Sequence, residues 1–130
     1  MKHLLISIRF FILLLLCSCT TPPNNGLLDG QWQIMDITTN ADGTVSHPKQ
    51  HYYAFAQKLV SIRKVVSYHS ETGNMRFTGD SIYLDMPYAK HDFVDRFGMD
   101  STQTVFTVDE LTNQTLRIHG KKYTLRCRRF

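Results

Sequence analysis

The residue types in this 130-residue chain that could do chemistry are its six histidines, one cysteine far downstream of the other two, and a lysine among apolar neighbours. The histidines are His3, His47, His51, His69, His91 and His119. His47 and His51 are four apart, but they bracket Pro48 and have neither the helix nor the glutamate of a zinc-protease pair. No metal site and no cofactor motif is read from them. Cys127 with a histidine would be a nucleophilic pair, yet it lies mid-strand on the side of Tyr123 and Leu125, where a buried thiol is inert. No catalytic residue is assigned, and the chain reads as a non-enzyme. Lys64 interrupts the apolar face of Val60, Ile62, Val66 and Tyr68, and a cation there must be paired or reach water. Its partner is either the carboxylate of a bound ligand or Asp36, which has the parity of Trp32 and Ile34. The second pairing would be purely structural. Tyr52, Tyr53, Phe55, Tyr83, Tyr88 and Phe93 either line a pocket for an apolar ligand or fill the core of a small barrel.

The elements that must position these groups begin after an export leader. Lys2, His3 and Arg9 flank or precede the run Phe10–Leu16, which is a signal-peptide pattern and too short for a permanent span of about 20 residues. Leu16-Cys17-Ser18-Cys19 resembles the lipobox of bacterial lipoproteins, with Cys19 behind a small residue and Cys17 behind a bulky one. That resemblance implies cleavage after residue 18, acylation of Cys19 and a membrane anchor strengthened by about 0.8 kcal/mol per buried methylene. Residues 19–26, with Pro22 and Pro23 and no apolar side chain beyond the modified cysteine, read as the lipidated tether. Thr20 stands where an aspartate would retain a lipoprotein in the inner membrane, so the expected address is the cell envelope, at the outer membrane.

What remains, 27–130, has the length of one domain. The formal charge of +4 includes Lys2 and Arg9 of the leader, so the mature domain carries half of it, and no basic stripe with interleaved aromatics argues for nucleic acid. A lone thiol in the domain excludes a disulfide framework.

Alternation and turn residues divide the domain into about eight strands. The first, over 30–40, puts Trp32 and Ile34 on one face, and the alternation fails near Met35, Asp36 and Ile37, where a bulge is expected. Residues 44–50, with Pro48, suit a loop. Further strands are read over 51–57, 59–68, 75–77 and 81–86, with a turn at Glu71-Thr72-Gly73-Asn74. In 87–100 the spacing of Ala89, Phe93 and Phe97 suits one or two helical turns or an aromatic-pinned crossing loop. Strands over 102–111, 115–119 and 123–130 complete the set, the last with Arg126 and Arg128 outward. Eight antiparallel strands can close an up-and-down barrel.

Gly30-x-Trp32 entering the first strand, about eight antiparallel strands and an Arg-rich last strand resemble lipocalins, above all the small lipocalin-like domains of bacterial lipoproteins. The resemblance implies that Gly30 and Trp32 close the narrow end of an all-β barrel, with a last-strand cation across the indole. Arg126, Arg128 and Arg129 are the candidates, and parity favours Arg129. It also implies a small apolar or amphipathic ligand inside the barrel. The alternative is a filled barrel that offers its loops to a protein or glycan as an interaction or inhibitor module. An apolar cavity of several hundred Å³ would support the first. An interior filled by Trp32, Tyr53, Phe55 and Leu84 would support the second.

Overall fold

The computed structural model of the chain describes residues 25–130 and, ahead of them, His3 alone. The rest of the leader over 1–18, Cys19 and the tether as far as residue 24 lie outside the described residues. After a 3-10 turn at Gly26–Leu28 come the strands β1 (Gly30–Thr39), β2 (Val45–Ser46), β3 (His51–Ala56), β4 (Leu59–Lys64), β5 (His69–Phe77), β6 (Ser81–Asp85), β7 (Gln103–Leu111), β8 (Thr115–His119) and β9 (Tyr123–Arg129), with a short helix α1 (His91–Asp95) before β7. All lie in one antiparallel sheet in the order β2-β1-β3-β4-β5-β6-β7-β8-β9, and β1 also pairs with β9. That last pairing, from Trp32 opposite Arg129 to Thr39 opposite Tyr123, closes the eight longer strands into a barrel. The two-residue β2, where a loop is expected, is an outlying strip on β1.

Closure depends on the break in alternation in β1. Ile34 faces Cys127 and Asp36 faces Arg126, so Met35 is the extra residue of a bulge. One extra residue moves the following side chains to the other face. Ile37 is therefore buried in the core, and Asp36 turns outward, where its Oδ2 accepts from Arg126 Nε at 2.6 Å and its Oδ1 lies 2.7 Å from His47 Nδ1. The expected internal pairing of Asp36 with Lys64 is corrected by this bulge.

The third strand and the turn after it also depart from expectation. β4 stops at Lys64, and Val66 and Tyr68, expected on its inner face, sit in the following turn with 65% and 92% of their surface exposed. Glu71, Thr72, Gly73 and Asn74 form no turn but pair in register with Ile62, Ser61, Val60 and Leu59. Gly73 is there for close approach: a Cβ would lie 2.4 Å from the Asp85 carbonyl oxygen and 2.5 Å from Met86 Sδ. The fold also begins slightly before Leu27, since the Asn25 side-chain amide donates to Asp29 Oδ1 at 2.7 Å and to the Gln57 carbonyl at 2.8 Å.

The inward side chains of all eight barrel strands join in one buried apolar cluster, with Leu28 at one end and Val94, Phe97 and Met99 at the other. The first is called here the plugged end, and the second the lid end.

Candidate functional site

At the plugged end three residues act as a unit. The Trp32 indole is fully buried and its Nε1–H donates to the Leu28 carbonyl at 2.9 Å. The Arg129 guanidinium lies 4.0 Å from the ring centroid, a cation–π contact of roughly 0.5–2 kcal/mol. The same guanidinium donates to the carbonyls of Asp29 (2.7 Å), Leu27 and Asn113, tying the 3-10 turn and the β7–β8 loop across the barrel end. Gly30 makes room for it: its φ is +126°, and a Cβ there would lie 2.5 Å from Arg129 Nη1. Gly30→Ala must strain the backbone and displace the cation together. The expected cost is about 1–3 kcal/mol, read as a lower urea midpoint. Arg126 and Arg128 point outward, to Asp36 and to Gln33.

Inside the barrel, Tyr53 and Phe55 are buried and stacked at 5.7 Å. They are core rather than the walls of an open cavity. The Tyr53 hydroxyl donates to the Phe97 carbonyl at 2.6 Å, and burial pushes its pKa well above the usual tyrosine value. Burial also pushes the Cys127 thiol up to about 12, so the thiol is protonated and unreactive at neutral pH. Among the described residues no group of three or more metal-ligating side chains converges.

The segment between β6 and β7 closes the lid end, and its contacts make it part of the core. Phe97 packs edge-on to Tyr53 at 6.0 Å and tilted against Phe93 at 5.2 Å. Asp95 Oδ1 accepts from the Tyr123 hydroxyl at 2.8 Å, and Asp100 accepts the backbone N–H groups of Lys121 and Lys122 at 3.0 and 2.7 Å. Phe93 stacks on His69 at 4.1 Å. Outside this lid lies a concavity of about 270 Å³ between His69, Glu71, Tyr88, Lys90, Asp92 and Arg96. Tyr88, at 86% exposure, is on its rim and not inside the barrel. Lys64 is half-buried at the end of β4, opposite His51 and His69 in the ladder, rather than on an apolar interior face.

His51 is the buried titratable group of this end. Its Nδ1–H donates to the Lys49 carbonyl at 2.8 Å, and its ring packs 5.0 Å from Phe97. Desolvation holds its pKa below the ordinary 6.5, with the nearby charges of Lys64 and Arg96 acting in the same direction. Because the unfolded chain binds this proton more readily, His51 contributes stability that is complete above about pH 6.5 and lost as the pH falls toward its folded pKa. His51→Gln is expected to flatten that segment of a stability-against-pH curve, measured by urea denaturation between pH 5 and 8.

Tyr83 lies on the outer face of β6, where the Arg76 guanidinium covers its ring at 3.8 Å. It borders a groove of about 380 Å³ across β5, β6 and β7, which sequence reasoning missed. The cross-strand register that assembles it, Asn74 with Asp85 and Gln103, and Arg76 with Tyr83 and Val105, requires knowing which strands are neighbours.

A closed antiparallel barrel, plugged by a tryptophan beneath a last-strand arginine, defines the class as lipocalin-like. The chain belongs to the lipocalin-like domain family, whose sequence profile matches residues 14–130. Among solved structures it is similar to a lipocalin-like protein from Bacteroides uniformis, at 23% identity and a TM-score of 0.68, over 81% of this chain and 100% of that one. It is also similar to an uncharacterized protein from Bacteroides eggerthii, at 20% identity and a TM-score of 0.67, over 79% of this chain and 99% of that one. No curated protein matches it. A barrel of this kind is in general a binding module and typically not an enzyme.

Proposed function

We propose that this chain is an envelope-tethered lipocalin-like module that binds its partner on the outside of a filled barrel. The observation that carries this reading is the interior. Trp32, Tyr53, Phe55 and Leu84 are all buried in one apolar cluster that runs from the Leu28 plug to the Phe97 lid. Large side chains buried in one apolar cluster occupy the space a guest would need, whereas pockets that engulf small ligands run to about 300–1,000 Å³. Of a small amphipathic ligand and an interaction module, the packing favours the second. The concavities that surround Tyr88 and Tyr83 open outward, with polar and charged side chains on their rims. Acylation of Cys19 would hold the domain close to the membrane, and the prolines at 22 and 23 would keep it clear of the lipid surface.

Native mass spectrometry of the full mature chain, extracted gently from its own cells, tests the reading. The expected spectrum is the acylated chain without a retained small apolar molecule, alone or with a polar partner. A stoichiometric lipid or other apolar molecule that leaves only on unfolding would overturn it.

A further inference from the structure

The groove on the outer face of β5, β6 and β7 carries an inference of its own, which rests on the exterior-binding reading and names its ligand. Two cross-strand rows flank the groove. One is Asn74, Asp85 and Gln103, an amide, a carboxylate and a second amide in register. The other is Arg76, Tyr83 and Val105, in which the guanidinium stacked at 3.8 Å fixes the tyrosine ring. Between them the inward row of Met75, Leu84 and Thr104 leaves a trough of about 380 Å³. With neighbouring strands about 4.8 Å apart, the three strands give it a length of roughly 10 Å.

Apart from Arg76, which stacks on Tyr83, the polar side chains of this face are left unused by the fold. On the β1–β9 face the outward side chains pair with one another, Arg126 with Asp36 and Arg128 with Gln33. Among the described residues the side chains of Asn74, Arg76, Asp85 and Gln103 enter no ion pair, and no hydrogen bond to another side chain is formed by them. They offer both donors and acceptors, since an amide supplies each, the carboxylate accepts and the guanidinium donates.

These features select among ligand classes. One anionic and one cationic side chain balance, which disfavours nucleic acid and strongly charged ligands. β5, β6 and β7 are each paired on both sides, so no strand edge is free for an extended peptide to add to. An acyl chain would leave the Asn74–Asp85–Gln103 row desolvated without partners. The ligand that fits is one with an apolar face beside a rim of groups that both donate and accept, and is uncharged. That is a pyranose ring. We propose that the groove binds a neutral oligosaccharide, with its C–H face against Val105 and the side of the Tyr83 ring that Arg76 does not cover, and its hydroxyls on Asn74, Asp85, Gln103 and Arg76.

The test is retention of the full chain on an immobilised panel of neutral gluco-, manno-, xylo- and chito-oligosaccharides beside acidic oligogalacturonate. The expected result is saturable retention on at least one neutral glycan. Retention should weaken at least tenfold in Tyr83→Ala and in the double variant Asn74→Ala/Gln103→Ala, whose outward side chains leave the core intact. Val45→Ala, on β2 at the opposite side of the barrel, should bind as the parent does. No retention on any neutral glycan, retention on oligogalacturonate alone, or a double variant that binds like the parent would overturn the proposal. Such a failure is separable from failure of the exterior reading, which turns on whether the mature chain retains an apolar guest in native mass spectrometry.

Discussion

Trp32→Ala is expected to lower the stability of the domain by about 3–5 kcal/mol, the range for emptying a fully buried tryptophan site. That is a large share of the roughly 5–15 kcal/mol that holds a domain together. Three losses coincide at this position. The cavity opens beneath Leu28, the Leu28 carbonyl loses its indole donor, and Arg129 loses the ring over which it lies. The guanidinium keeps its bonds to the carbonyls of Asp29 and Leu27, so the barrel end should loosen without coming apart. Trp32→Phe refills most of the volume and removes only the donor, at a cost of about 1–3 kcal/mol. Urea denaturation followed by circular dichroism measures both. A Trp32→Ala variant within 1 kcal/mol of the parent would remove the plug from this account.

Phe97→Ala is the second large effect, again about 3–5 kcal/mol, because its ring is fully buried where the lid meets the barrel. The backbone carbonyl that accepts from Tyr53 is retained, and Asp95 and Asp100 still fasten the segment to β9 and its hairpin. The lid should therefore stay in place over a new apolar void, and such voids stay dry and accept small apolar molecules. Benzene should raise the thermal midpoint of Phe97→Ala and leave that of the parent unchanged. A crossing loop merely resting on the barrel would give a change within about 0.5 kcal/mol and no benzene effect.

The residues differ in how far they disclosed this arrangement. Strand parity was legible wherever a strand is buried on one face, as in β6, where Ile82 and Leu84 alternate with Ser81, Tyr83 and Asp85. It also made Arg129 the inward-leaning member of the last-strand arginines. The failing alternation at Met35 signalled a bulge, but its consequence for Asp36 was not drawn, since parity was carried through the extra residue. Gly73 misled because a glycine beside asparagine has the composition of a turn. Only the approach of the Asp85 carbonyl at the end of β6, and of Met86 just beyond it, shows why a side chain is excluded there. The turn that does occur, at 65–68, contains Val66 and Tyr68, apolar residues that prolonged the apparent strand. Tyr88 and Phe93 could not be sorted into rim and lid from spacing. The outer groove was hidden for a simpler reason: its six bordering residues come from three strands and share no local pattern.

Whether the barrel is filled, so that its partners must bind outside, is decided by diffraction from crystals of the protein equilibrated with xenon, a probe that enters dry apolar voids. No xenon is expected inside the parent barrel, and one site is expected beside residue 97 in Phe97→Ala. Xenon between Tyr53, Phe55 and Leu84 of the parent would contradict it.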